Sequence, residues 1–149
     1  TEHRGANLSL RVPVNKILDL QTSLAYRKAE FSAGPNDGKT VPLVPSKKIT
    51  VSGQFSLPTN NHIGIDAVHT GARYFGDDLG NIGKRMTAYT RLDMSYDHRF
   101  SNIKLKAVIK NVTNVSQADS GFYNPFAGNP YFYYPLPERA VYFTVEGEL

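Results

Sequence analysis

The chain has 149 residues, a formal net charge of +4 at pH 7 and no cysteine. One domain fits that length, a disulfide framework or cysteine-based zinc site is excluded, and the scattered Lys and Arg residues form no stripe of the kind nucleic acid needs. No apolar run approaches the roughly 20 residues of a membrane helix, which leaves a strand-built membrane wall open, because there only alternate residues face lipid.

Taken in order, the chain reads as strands with two unlike faces. The first sets Leu8, Leu10, Val12 and Val14 against Asn7, Ser9 and Arg11. From Ile17 to Phe31, Leu18, Leu20, Thr22, Leu24 and Tyr26 alternate with Asp19, Gln21, Ser23, Ala25 and Arg27, as the period-two geometry of a strand requires. The third opposes Ile49, Val51, Phe55 and Leu57 to Lys48, Thr50, Ser52, Gln54 and Ser56. A fourth, His62 to Phe75, is less regular, and Gly64 and Gly71 point to a bend or a close backbone approach. In the fifth, Leu92, Met94, Tyr96 and Phe100 face away from Arg91, Asp93, Ser95, Asp97 and Arg99. The sixth separates Ile103, Leu105, Ala107 and Ile109 from Lys104, Lys106 and Lys110, and the last separates Val141, Phe143, Val145 and Leu149 from Tyr142, Thr144, Glu146 and Glu148. The expected fold is all-β, an antiparallel up-and-down meander of about seven long strands spanning residues 1–149.

Connections alternate too. Turns at Pro13 to Lys16, Pro58 to Asn61 and Ser101 are tight, whereas Ala33 to Pro45, Gly76 to Thr87 and Thr113 to Glu138 are long and rich in Gly, Pro and Asn. Transmembrane barrels sort their loops in this way, with short turns on one rim and long loops on the other. Single-chain bacterial barrels use an even number of strands, so seven leads to the expectation that this is a section of a longer chain, with further strands before Thr1. The start, Thr1 to Ala6, shows no basic and apolar leader pattern.

Four segments carry a family resemblance: Val41 to Phe55 (VPLVPSKKITVSGQF), Tyr89 to Tyr96 (YTRLDMSY), Lys106 to Asn114 (KAVIKNVTN) and Tyr133 to Val145 (YYPLPERAVYFTV). In that order they resemble the closing segments of TonB-dependent outer-membrane receptors. The most specific elements are the Asn-x-x-Asn at Asn111 and Asn114 and the Tyr-Pro-x-Pro-x-Arg from Tyr134 to Arg139. One departure is the ending Glu-Gly-Glu-Leu, where members usually finish on an aromatic residue. The resemblance implies a barrel of about 22 strands with a plug in its lumen, of which this chain supplies the C-terminal section. It also implies residence in the bacterial outer membrane, uptake of a ferric siderophore or similar metal chelate, and energy drawn from TonB through a plug region not present here.

Candidate site residues follow from position. Phe122, Tyr123 and Phe126 lie in the aromatic-rich third long loop, where exposed rings would grip a flat chelate; Tyr131, Phe132, Tyr133 and Tyr134 read as girdle or loop packing. Arg73 and Tyr74 stand where a strand meets a long loop. Arg91, Asp93, Arg99, Lys104, Lys106 and Lys110 share one face and would line the lumen, their cations most simply paired with carboxylates across strands. His3, His62, His69 and His98 lack metal-ligand spacing, Asp77 and Asp78 lack the other oxygens of a calcium loop, and the Gly76 to Arg85 stretch is no phosphate loop. No nucleophile, base and orienting group can be assembled, so no catalytic residue and no cofactor are expected. Two other readings stay open at this point: a soluble β-sandwich or small barrel binding carbohydrate or an apolar ligand, and a passive porin-like channel. Isolated, such a section would expose two sheet edges and an apolar wall, and self-association is expected of it.

Overall fold

The computed structural model describes residues 1–147; the assignments of Glu148 and Leu149 to the last strand lie outside the described residues. Eleven strands form, and no helix is present among the described residues. In chain order they are β1 (Glu2–Pro13), β2 (Leu18–Glu30), β3 (Lys47–Leu57), β4 (Asn61–Thr70), β5 (Arg73–Tyr74), β6 (Arg85–Met86), β7 (Tyr89–Phe100), β8 (Ile103–Lys110), β9 (Ala118–Tyr123), β10 (Tyr131–Pro135) and β11 (Ala140–Gly147). Seven of them make one antiparallel meander, β1-β2-β3-β4-β7-β8-β11, and the other four form two small ribbons, β5-β6 and β9-β10, inside the long loops.

The expected seven-strand meander is therefore the main sheet, with differences at its margins. β4 stops at Thr70 rather than running to Phe75, and Gly71 just beyond it comes close against the Lys47 backbone: its amide donates to the Lys47 carbonyl at 2.9 Å, and a Cβ there would lie 3.0 Å from that same oxygen. β1 starts at Glu2, well before the first alternating apolar residue. Its upper part pairs fully with β2, Gly5 opposite Arg27 and His3 opposite Ala29.

Tight turns close one end of the sheet by local side-chain chemistry. The Asn15 side-chain oxygen accepts from the amides of Ile17 and Leu18 at 2.8 and 2.9 Å, and the three residues between the paired Leu57 and Asn61 include Thr59 and Asn60 at positive φ, 61° and 57°, the left-handed conformation that tight hairpin connections use.

Register carries the apolar face across every strand. Val12 pairs with Leu20, Leu20 with Gly53, Gly53 with Ile65, Ile65 with Met94, Met94 with Ile109 and Ile109 with Val141. No described element covers this wall, and Phe143 is 80% exposed and Leu8 66%. Asp93, on the opposite face of the central strand β7, is only 4% exposed. This reverses the usual distribution, in which large apolar side chains are hidden and carboxylates are wet. A sandwich would need a second layer over the apolar wall, and none is present among the described residues. The buried apolar side chains, Ala29, Phe75, Met86 and Leu136, gather at the long-loop end, so the small core belongs to the loops and their strand ends.

Candidate functional site

Three long loops meet at one rim, and their contacts are made by side chains that replace missing strand partners. Asn81, at φ 56°, accepts from the Thr40 amide at 2.7 Å and donates to the Thr40 carbonyl at 2.9 Å, an amide acting as one residue of a ladder between the first and second loops. Asp78, 2% exposed, accepts the amides of Ile82 and Gly83 at 2.8 and 3.0 Å and so folds the tip of the second loop. The amide of Gly76 donates to the Gly121 carbonyl and that of Tyr123 to the Gly76 carbonyl, both at 2.8 Å, which attaches the second loop to β9. Leu43 donates its amide to the Tyr74 carbonyl at 3.0 Å.

Arg73 is 4% exposed. Its guanidinium donates to the carbonyls of Ala118 and Asp119 and lies 5.7 Å from the Tyr89 ring centre, while the Tyr89 hydroxyl donates to the Asp119 carboxylate at 3.0 Å. The structure thus uses Arg73 to anchor the third loop. Tyr74 is half-buried, and the Arg85 guanidinium lies 4.8 Å from its ring centre.

The third loop carries the β9-β10 hairpin, paired Tyr123 to Tyr131, Phe122 to Phe132 and Gly121 to Tyr133. Its two faces differ. Tyr131 and Tyr133 pack on Phe75, with ring centres 5.0 and 5.3 Å apart, and Tyr123 packs on Tyr131 at 5.2 Å. On the other face Phe122 stacks on Phe132 at 4.9 Å, with Tyr134 at 6.1 Å, and Phe132 and Tyr134 remain exposed. Phe126, at the tip, is 96% exposed. Of the aromatic candidates, Phe122 thus belongs to an open platform, Tyr123 to the packed side and Phe126 to the solvent. The sequence reads Tyr131 to Tyr134 as one block; alternation along β10 turns Tyr131 and Tyr133 toward Phe75 and Phe132 and Tyr134 to the other face, with Tyr133 itself still 49% exposed.

Gly121 sits where the packed face meets β5. A Cβ at this position would fall well inside contact distance of the Phe132 carbonyl oxygen and 3.0 Å from the Phe75 ring. Gly121→Ala is expected to spread the hairpin and cost about 1–3 kcal/mol through overpacking, read as a lower urea midpoint together with new protease cuts between residues 112 and 139.

The lumen candidates divide by height on the sheet. Near the long-loop end Asp93 receives the Lys110 ammonium at 3.0 Å, lies 3.3 Å from the Arg91 Nε and accepts the Asn111 amide at 2.9 Å. Arg91 and Lys110 therefore share one carboxylate. Nearer the tight turns, Lys106 is registered opposite Asp97 and Thr144, and Lys104 opposite Arg99 and Glu146. All six residues share the face opposite the apolar wall.

The Asn-x-x-Asn motif roots the third loop. Asn111, 1% exposed and at φ 52°, donates its side-chain amide to the carbonyls of Val115 and Pro137 at 3.1 and 2.9 Å and accepts the Val115 amide at 2.9 Å. Asn114 accepts the Arg139 amide at 2.9 Å. Both feet of the loop are thereby clasped at the end of β8.

Beside the hairpin lies a cavity of about 100 Å³ lined by Phe75, Lys84, Arg85, Met86, Thr87, Gln117, Ala118 and Tyr133. The Lys84 amide donates to the Tyr131 hydroxyl at 2.9 Å, and its ammonium lies 4.4 Å from the Tyr131 ring centre and 5.7 Å from that of Tyr133. A hydrogen bond with Tyr133 raises the Lys84 pKa above its ordinary value, outweighing the effect of desolvation. No signal in the sequence marked this group, because its members come from separate loops.

No family model matches the sequence, and no curated protein matches it. Solved structures do. The chain is similar to the ferric yersiniabactin uptake receptor FyuA from Yersinia pestis, with 16% identity and a TM-score of 0.82 over 97% of this chain and 23% of that one. It is similar to the ferric-catecholate import receptor Fiu from E. coli K12, with 19% identity and a TM-score of 0.76 over 96% of this chain and 20% of the other. The ferric citrate transporter FecA gives 19% identity and a TM-score of 0.79, covering 97% and 23% of the respective chains. The chain thus spans less than a quarter of the length of each of these proteins. Its fold is that of a section of a TonB-dependent receptor barrel, as the resemblance of its closing segments implies.

Proposed function

We propose that the chain is the C-terminal barrel section of a bacterial outer-membrane receptor that takes up a ferric siderophore or a similar metal chelate, driven by TonB through a plug region. The observation that carries this reading is the outward apolar row, unbroken in register over seven strands, together with a rim of long loops bearing an exposed aromatic platform. Lipid covers the apolar wall, a plug meets the charged face, and the two sheet edges continue into further strands of the same barrel, which removes the exposed edge that would otherwise recruit foreign strands. The chelate contacts Phe122 and Phe126, with Tyr123, Tyr74 and Arg73 holding the platform in place. The similarity to receptors and transporters named for ferric chelates supports this assignment.

Iron-limited cells carrying the complete gene test it with a panel of ferric chelates. Gene deletion is expected to abolish uptake of at least one chelate, and the double change Phe122→Ala and Phe126→Ala to weaken binding of that chelate about tenfold, since two aromatic contacts at about 0.5–1.5 kcal/mol each sum to a range that brackets the ~1.4 kcal/mol of one decade. Surface abundance should be unchanged. Uptake of every chelate by the deletion strain at wild-type rates would contradict the assignment.

A further inference from the structure

The apolar wall is not uniform. Between β4, β7 and β8 it holds an open hollow of about 180 Å³, lined by Ile63, Met94, Ser95, Tyr96, Ala107 and Ile109. Two residues create it. Ala107 is registered between Tyr96 on β7 and Phe143 on β11, so a methyl group stands where the neighbouring strands carry rings. The Tyr96 hydroxyl donates to the Asn61 side-chain oxygen, which draws the ring toward β4 and away from β8. Asn61 in turn donates to the Pro58 carbonyl and the Thr59 hydroxyl at 2.8 and 2.7 Å, so the tight turn braces one side of the hollow.

Two residues further along the same face of β7 is His98, registered opposite Asn61 and Leu105. Its ring stacks on Phe100, with centres 5.6 Å apart and planes at 24°. The Nδ1 atom is buried and has no hydrogen-bond partner among the described residues, a state that native proteins rarely leave unanswered. Turning the ring over would keep the stack and bring that nitrogen to the surface of the wall.

Hollow and histidine follow one another along the strand, separated by roughly 7 Å for two residues. The hollow lies toward the middle of the wall and His98 toward the tight-turn rim, where Tyr96, His98 and Phe100 have the amphipathic and aromatic character found where hydrocarbon gives way to headgroups. A fatty chain ending in an ester carries the same groups in the same order. Apolar side chains of another barrel could fill the hollow, but they would leave the imidazole unpaired.

We infer that this hollow binds one phospholipid of the leaflet on the tight-turn side, with an acyl chain over Ala107 and its ester linkage hydrogen-bonded to the His98 imidazole. The inference rests on the lipid-facing part of the receptor reading and adds to it a defined lipid site on a wall otherwise wetted by chains in exchange.

The experiment uses the full-length receptor in vesicles containing a phosphatidylethanolamine with a diazirine at the middle of one acyl chain, and adducts are mapped by mass spectrometry after irradiation. Adducts at Ile63, Met94, Ala107 and Ile109 are expected to exceed those at Val12, Leu20 and Leu24 of the same wall by about two- to tenfold, the factor that one net hydrogen bond supplies. Ala107→Phe, which fills the hollow, and His98→Leu, which removes the ring nitrogens, should each bring the excess down toward the level of the rest of the wall, while labelling of Val12 and Leu20 in the same samples reports that the variant is folded and inserted. An alkane bearing the same diazirine should show no excess. Uniform labelling along the wall would overturn the site and leave the receptor reading standing, whereas a wall labelled nowhere would refute the lipid-facing reading itself. An excess that survives in both variants, an equal excess with the alkane, or adducts joining two receptor copies through the hollow would each overturn the inference.

Discussion

Asn111→Ala is expected to lower the stability of the folded barrel by roughly 3–5 kcal/mol and to release the third long loop. The side chain makes three hydrogen bonds to the backbone of the loop's two feet, from a position with almost no solvent access. Each is worth about 1 kcal/mol net, and more when its loss leaves a buried group unpaired. Alanine at the positive φ of this residue adds about 1–2 kcal/mol of backbone strain. Asn111→Gly separates the two terms, since glycine accepts that φ freely but restores none of the bonds. Urea titration in lipid vesicles should rank wild type above glycine and glycine above alanine. Limited proteolysis should place the new cuts within residues 112–139. If alanine matched wild type in both assays, the loop would be rooted elsewhere.

On the proposed receptor reading, Ile65→Lys is expected to cost about 2–4 kcal/mol in a bilayer, the penalty of an ammonium near the middle of a lipid-facing band. Ile65 lies in the row that runs from Val12 to Val141, registered between the small Gly53 on one side and Met94 on the other. Gln54→Lys is the control. It changes an exposed residue of the opposite face, where a further cation meets water, and should shift stability by no more than about 0.5 kcal/mol. Equilibrium unfolding in vesicles measures both. Equal, small effects would mean that the apolar wall does not touch hydrocarbon.

Period-two alternation made the main sheet legible because each of its long strands has one apolar face and one polar face. The signal weakens wherever that contrast ends. Above the apolar band, Glu2 to Ala6 pair with β2 while both faces are polar or small, so the upper part of β1 gave no alternation to read. The β9-β10 hairpin was hidden for the opposite reason: Tyr131, Phe132, Tyr133 and Tyr134 are aromatic on both faces, one packing on Phe75 and the other left open. Arg73 marks a further limit. A lone arginine at a strand end gives the same pattern whether it points to a ligand or anchors a backbone, and only the carbonyls of Ala118 and Asp119, distant in sequence, show which bonds it makes here. Asn111 and Asn114 were recognisable as a motif, but their work as a clasp depends on Pro137 and Arg139, which are brought back to them only by the return of the third loop.

The joining of the three loops bears on how specificity can be transplanted between such barrels. Asn81 is cut for the Thr40 backbone, Gly76 for Gly121 and Arg73 for the carbonyls beyond β8. A chimera that borrows one loop inherits half of each junction, with stranded donors at the seam. Exchange of residues 31–46, 71–89 and 111–139 as a single cassette keeps these three junctions whole, together with the Tyr89 contacts to Arg73 and Asp119, so loop variants should be selectable as blocks more readily than as single insertions.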